Sequence, residues 1–492
     1  MSAGSDTLGS KVGKGLAWST VNTVVGRVGQ LFVGIVLARL IAPSEFGVFA
    51  AALVVLSVVV SISELGVSVA IVQAADREEV DRIAPVVTTV SVASGAGLAA
   101  LMALLAPWLA QALGAPAAAG PIRVLALSLV IAGLSATPSA CIQREFRQDR
   151  KLIADTVSFV VTTVVAVVMA SAGFGAWSLA WSRVVGNVVL FGFTFALAPA
   201  RYRPAWDAAL ARRLLRFGLP LAGASIVVFA VMNVDYAVIG NILGPTQLGI
   251  YVLAFNLSGW PVGAFSSTVR AVSLPAFSEL RSDPLRHQAS FGRALGMLFV
   301  PVVPACVLLG VLGHPLVRFV YGARWSDAGG PLAFLAVVGA SRVALELAYD
   351  FLVSAGKSDD ALRLNLLWLV SLVPMLIVAA HVGGITAVAA GHVVALCLVV
   401  LPAYMKVLRG LGVTVASVVG PISRPLVGGA LMALTALAAL AVMPGDLARL
   451  VAGGTLSLLV YALVVGLPLW RQHRRGELFS VAAPIPAVEA AA

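Results

Sequence analysis

The stretch LARLIAPSEFGVFAAALVVLSVVVSISELGVSVAIVQ, residues Leu37–Gln73, determines the class of protein to which this chain belongs. No charged side chain occurs between Glu45 and Glu64. As a helix, that run is long enough to cross a hydrocarbon core of about 30 Å. Comparable apolar runs recur along nearly all of the 492 residues, of which 60% are hydrophobic and only 11% charged, whereas soluble domains carry about 25% charged residues. The sequence therefore predicts an all-α, polytopic membrane protein.

About fourteen transmembrane helices fit between residues 17 and 470, and the connections between them are too short to form an extramembrane domain. The predicted division is a cytoplasmic N-terminal segment at 1–16, an N-lobe of helices 1–6 at 17–200, a C-lobe of helices 7–12 at 201–410, helices 13 and 14 at 411–470, and a disordered cytoplasmic tail at 471–492.

The formal net charge of +11 comes from Arg and Lys in short connections, and not from one basic face or tail. That distribution excludes nucleic acid as the partner and is typical of the positive-inside pattern. Roughly 24 cations fall on one side of the predicted membrane and roughly 4 on the other. The count predicts a multi-pass protein with both termini in the cytoplasm.

Two short motifs return in the second half of the chain in the same order. Ile41–Phe49 (IAPSEFGVF) resembles Leu243–Tyr251 (LGPTQLGIY), and Gly120–Ala126 (GPIRVLA) resembles Gly330–Ala336 (GPLAFLA). Six predicted helices separate the copies, so both halves have the same orientation. The pattern predicts two parallel six-helix repeats followed by two C-terminal helices, with the substrate path between the two lobes.

Three segments carry a resemblance to a known family: Leu37–Gln73, Leu274–Arg286 (LPAFSELRSDPLR) and Val320–Val337 (VYGARWSDAGGPLAFLAV). They resemble the polysaccharide exporters of the multidrug, oligosaccharidyl-lipid and polysaccharide exporter superfamily, and within it the Wzx-like flippases. The resemblance implies two six-helix lobes that work by alternating access on a polyprenyl-diphosphate-linked glycan. It also implies that helices 13 and 14 lie outside the lobes.

The function implied by the resemblance is secondary transport that flips or exports oligosaccharide or exopolysaccharide units across the bacterial cytoplasmic (inner) membrane. The implied partners are a lipid-linked anionic glycan, membrane lipids, and the glycan polymerase or glycosyltransferases of the same pathway. No nucleic acid is expected.

No catalytic residue, metal site or cofactor is predicted, and the chain is not expected to be an enzyme. The segment Gly9–Gly15 lacks the spacing, and the Ser or Thr after Lys, that a phosphate-binding loop requires. The histidines show no metal-binding spacing.

The candidate binding residues are arginines inside the predicted spans: Arg27, Arg39, Arg183, Arg270 and Arg342. An Arg at the centre of a span costs about 2.5 to 3.5 kcal/mol on insertion scales, so it usually faces a cavity or a partner. A guanidinium fork can hold phosphate oxygens by two hydrogen bonds. We therefore predict that these residues bind the diphosphate or acidic sugars of the substrate.

Two other interpretations of the arginines remain open at this stage. Arg39 and Arg270 lie near predicted helix ends, where their side chains could extend to the interface. The intramembrane acids could also pair with the arginines as structural bridges, and Glu346 lies one helical turn from Arg342. These acids are Glu64, Asp155, Asp235, Glu346 and Asp350.

Two functional alternatives belong beside the flippase. The first is a cation-coupled multidrug exporter of the same superfamily, which needs an acidic site in the N-lobe; Asp155 keeps it open. The second is a membrane glycan polymerase or transferase, which the lack of a large extramembrane loop disfavours.

Overall fold

The computed structural model describes residues 29–63, 68–145, 147–280 and 283–474, and every regular element in these ranges is a helix. In the N-terminal half the helices are α1 Gly29–Leu40, α2 Pro43–Ser63, α3 Val69–Gln73, α4 Arg77–Ala112, α5 Ala119–Arg144, α6 Gln148–Ser171, α7 Ala176–Leu197 and α8 Ala208–Glu279. In the remainder they are α9 Pro284–Val311, α10 Gly313–Val320, α11 Gly329–Ser354, α12 Ser358–Ala395, α13 Leu401–Gly410, α14 Val415–Val442, α15 Asp446–Tyr461 and α16 Leu467–Arg474.

Among the described residues, eleven helices are long and apolar enough to cross a membrane, and α1 is a shorter apolar helix. Two of the eleven contain a break in helical geometry. The break in α8 is at Gly244, with φ of 83°, and the break in α12 is at Gly383 and Gly384, the latter with φ of 65°. A positive φ costs glycine almost nothing, so glycine is the residue that allows such a reversal. Counting each interrupted helix as two spans gives thirteen, and α1 is a fourteenth apolar helix, in agreement with the prediction of about fourteen.

The described residues cluster into two compact units. One contains the described part of Met1–Val252 with Val373–Val388, and the other contains Leu253–Leu372 with the described part of Ala389–Ala492. The predicted lobe boundaries stay predictions, because the positions of the helices do not test them. The predicted N-terminal segment and nearly all of the tail lie outside the described residues.

The two copies of the first repeated motif contact each other within the first unit. A Cβ atom at Gly47 would overlap the carbonyl oxygen of Pro245, and a Cβ at Gly249 would overlap the carbonyl oxygen of Pro43. The contact is reciprocal, because each copy supplies a glycine that faces the proline carbonyl of the other. Only residues without a side chain allow the two backbones to approach this closely.

In the second unit, α15 is joined to α9 by a hydrogen bond that compensates for a proline. The carbonyl of Val300 would ordinarily accept from the N–H of residue 304, but Pro304 has no N–H. The hydroxyl of Tyr461 donates to that carbonyl oxygen at 2.7 Å. In a membrane, where water cannot satisfy a freed carbonyl, this bond helps to hold the C-terminal helices on the unit.

We expect Tyr461→Phe to lower the stability of the detergent-solubilised protein by about 1 kcal/mol, because the Val300 carbonyl loses its donor. A thermal unfolding assay measures the effect. Tyr349→Phe is the matched control, since the Tyr349 hydroxyl makes no hydrogen bond within the described part of the chain. Equal melting temperatures for the two variants would show that the Tyr461 hydroxyl contributes nothing.

Candidate functional site

The structure describes the side chains of three of the five predicted arginines. Arg27 lies outside the described residues, and the side chain of Arg270 in α8 does as well. Arg39 is exposed in the last turn of α1, Arg183 is exposed in the middle of α7, and Arg342 is half-buried in α11. Their role in substrate binding stays a prediction.

Helix α7 is held closely against α6. A Cβ at Gly186 would overlap the hydroxyl of Thr162, and the hydroxyl of Ser158 donates to the Gly186 carbonyl oxygen at 2.8 Å. Trp177 and Trp181, one turn apart on α7, have 41% and 39% of their surfaces exposed. A half-exposed aromatic stripe on a membrane helix is the kind of surface that faces lipid.

Arg183 projects from a different side of α7. Six residues separate it from Trp177, so the two side chains leave the helix about 120° apart. Arg183 makes no hydrogen bond or ion pair with any residue that the structure describes. An exposed guanidinium inside a membrane helix, away from the tryptophan stripe and without a partner in the described part of the chain, is available to an anionic ligand.

Arg342 is in a different environment. Its guanidinium carbon lies 5.9 Å from the centroid of the Phe255 ring, within the range of a cation–π contact. The predicted pairing of Arg342 with Glu346 stays a prediction. The Phe255 ring therefore partly covers the guanidinium of Arg342, which lies one helical turn from Glu346 in the sequence.

Three of the five predicted intramembrane acids have hydroxyl or lysine donors. Asp235, only 1% exposed, accepts from the hydroxyl of Tyr251 at 3.0 Å. Asp350, 3% exposed, accepts from the hydroxyl of Ser273 at 3.1 Å.

Asp155 lies 3.0 Å from the ammonium of Lys151. Glu64 lies outside the described residues. A buried carboxylate requires such donors, and neither Tyr251 nor Ser273 could be assigned this role from the sequence because neither is near its acid along the chain.

A buried histidine in the second unit was also not anticipated. The Nε2 of His287 lies 3.2 Å from the hydroxyl oxygen of Ser354, and its ring stacks on Phe351 with centroids 4.3 Å apart. Phe277 meets both rings edge to face. In the sequence, His287 is a single histidine at the start of an apolar run, and that pattern does not identify its partners on another helix. Among the described residues, no group of three or more His, Cys, Asp or Glu could hold a metal ion.

Residues 36–329 match the family described as "Polysaccharide biosynthesis protein". The chain belongs to this family. The matched range contains Leu37–Gln73 and Leu274–Arg286 completely and the first part of Val320–Val337, so the resemblance to polysaccharide exporters is confirmed.

Relatives of this polysaccharide biosynthesis protein are similar over most of its length. It is 26% identical over 396 residues to the lipopolysaccharide biosynthesis protein WzxC of Escherichia coli (strain K12), which is 78% of each chain. It is 29% identical over 335 residues to the succinoglycan biosynthesis transport protein ExoT of Rhizobium meliloti (strain 1021), which is 66% of each chain.

The fold of this polysaccharide biosynthesis protein also matches a solved structure, the lipid II flippase MurJ in an inward closed conformation. The TM-score is 0.78, and the match covers 94% of this chain and 100% of that chain at 15% identity. Identity this low shows the fold alone. The prediction of an all-α, polytopic membrane fold is confirmed.

Proposed function

We propose that this protein is a secondary transporter that flips polyprenyl-diphosphate-linked oligosaccharide or exopolysaccharide units across the bacterial cytoplasmic membrane by alternating access. Its family and the names of its relatives, a lipopolysaccharide biosynthesis protein and a succinoglycan transport protein, support this assignment. The observation that carries it is Arg183, which is exposed on a membrane helix and makes no hydrogen bond or ion pair with any described residue. A diphosphate or an acidic sugar is the ligand that such a cation favours.

The proposed orientation has both termini in the cytoplasm, because most cations fall on that side. In that orientation the lipid-linked glycan is taken up from the cytoplasmic leaflet, where glycosyltransferases of the same pathway would assemble it. A polymerase would use the product on the other side. The proposal needs neither an enzyme activity nor a cofactor in this chain.

The multidrug-exporter alternative has lost much of its support. It depended on Asp155 as the N-lobe acid, and that carboxylate already has a cation, Lys151, at 3.0 Å. An ion-coupling acid has to exchange its cation during the cycle, and a lysine on the same helix remains in place.

The proposal is tested with purified protein in liposomes that contain a fluorescent polyprenyl-diphosphate-linked sugar. Dithionite added outside bleaches only the outer leaflet, so flipping appears as additional bleaching. We expect protein-dependent flipping without ATP. The same liposomes with the labelled monophosphate serve as a comparison that measures headgroup selectivity. Bleaching no greater than in protein-free liposomes, together with transport of a cationic dye, would favour the multidrug alternative.

A further inference from the structure

Most described cations near the start of α6 and the end of α5 already have a structural role. Arg144 donates to the carbonyl oxygen of Ala74 at 2.6 Å, which satisfies the end of α3. Arg150 donates to the carbonyl oxygen of Leu197 at 2.5 Å, which satisfies the end of α7. These guanidinium groups hold helix ends in place, so they are not available to a ligand.

The first turns of α8 differ from this pattern. Ala211 and Leu214 are buried in an apolar cluster with residues of α3, α4 and α5, such as Ile71 and Val87. Leu210 and Leu215 are partly buried against the same cluster, whereas the remaining residues of these turns are exposed, as the helical period requires when one face is buried. The apolar face therefore determines how this segment is oriented, and its polar face is open.

That polar face carries three arginines: Arg212, Arg213 and Arg216. All three are exposed, and none makes a hydrogen bond or an ion pair with any residue in the described part of the chain. Together with Ala209 they line an open cavity of about 470 Å³.

The connection that leads into this segment is tied to α4. The hydroxyl of Thr89 donates to the Ala205 carbonyl oxygen at 2.7 Å, and the hydroxyl of Tyr202 donates to the Asp81 carboxylate at 2.5 Å. Burial, and then the bond to Asp81, raises the pKa of Tyr202 above its ordinary value, so the phenol stays protonated as a donor at neutral pH. The arginine cavity is thus held on an ordered support.

We propose that the arginine cavity, lined by Ala209, Arg212, Arg213 and Arg216, binds the phosphate headgroup of a membrane lipid. These three guanidinium forks have no acidic partner among the described residues, and they match the charge and geometry of phosphate oxygens. The segment begins a membrane span, so the cavity lies where lipid headgroups lie. Both an anionic phospholipid and the diphosphate of a lipid-linked glycan present this chemistry; only the second source rests on the proposed function.

The test compares two triple variants of the full-length protein. The cavity variant is Arg212→Gln, Arg213→Gln and Arg216→Gln. The control removes the same charge from Arg147, Arg286 and Arg363, each of which lies within 4.0 Å of a neighbouring aspartate. Binding of phosphatidylglycerol and of farnesyl diphosphate is measured by native mass spectrometry, after equal folding has been established by thermal unfolding.

We expect the cavity variant to bind at least one probe about tenfold more weakly, because several charge-assisted hydrogen bonds are lost. The control should stay within about twofold of the unmodified protein. Loss for farnesyl diphosphate alone identifies the lipid-linked substrate as the source, and loss for phosphatidylglycerol alone identifies a structural phospholipid. Equal losses in the two variants, or no loss in the cavity variant, would overturn the site.

These outcomes are separable from the proposed function. If the unmodified protein binds phosphatidylglycerol through the cavity but flips no glycan lipid, then the site stands and the transport proposal fails. If it flips the glycan lipid and the cavity variant binds both probes normally, then the transport proposal stands and the site fails.

Discussion

Gly47→Ala is expected to abolish glycan export, although alanine is the better helix former. The added methyl would overlap the carbonyl oxygen of Pro245 and lie 2.9 Å from the amide nitrogen of Gly249. Both are backbone atoms, so neither can rotate away as a flexible side chain could. The two motif copies must therefore separate, which disfavours the conformation in which they touch.

Transport in liposomes and melting temperature measure this effect together. Gly249→Ala should behave like Gly47→Ala, because the contact is reciprocal and its Cβ would overlap the carbonyl oxygen of Pro43. Gly34→Ala and Gly97→Ala are the matched controls, since a Cβ at either position meets nothing within 4 Å. Alanine should be neutral there, or stabilising by up to about 1 kcal/mol.

The double variant tests whether the two glycines act through the same contact. Both substitutions disrupt the same contact. The effect of Gly47→Ala with Gly249→Ala on melting temperature and transport should therefore be smaller than the sum of the two single effects. Normal transport and normal melting temperature in Gly47→Ala would refute the prediction that the close contact between Gly47 and Pro245 is required for transport.

Arg183→Ala is expected to reduce flipping by about ten- to a hundredfold, because one or two charge-assisted hydrogen bonds to the substrate are lost. Protein abundance should stay normal, because Arg183 has no described acid that its removal would leave uncompensated. Arg183→Lys should restore flipping only in part, since an ammonium keeps the charge and loses the planar fork.

Arg123→Ala is the charge-matched control for this prediction. Arg123 is also an arginine of an apolar helix, but its guanidinium donates to the Ala103 carbonyl oxygen at 3.4 Å. Flipping should be nearly unaffected in that variant. A structural role for Arg183 would instead lower its abundance by leaving an acid unpaired, at a cost of about 3 to 5 kcal/mol. Full flipping activity with normal abundance in Arg183→Ala would exclude it from the substrate path.

The candidate site was only partly predictable. The sequence singled out Arg39, Arg183 and Arg342, which lie on apolar helices, because a charge inside an apolar run is visible without any structure. It could not tell which arginine is available: Arg342 lies beside Phe255, whereas Arg183 has no described partner. It did not single out Arg212, Arg213 and Arg216 at all, since a positive-inside count treats every cation in a connection alike.

The sequence by itself determined that this protein crosses a membrane, how many spans it has, which motifs repeat and which family it resembles. Each of these properties depends on the residues of one helix or one short motif.

Tertiary structure alone decided the partners. Tyr251 with Asp235, Ser273 with Asp350 and Tyr461 with Val300 are joined across 16, 77 and 161 residues of chain. The physical reason is that the polarity of a span sets whether it enters the membrane, whereas its rotation about its own axis sets what each side chain meets. That rotation is fixed by the helices packed around it, whose positions no local pattern specifies.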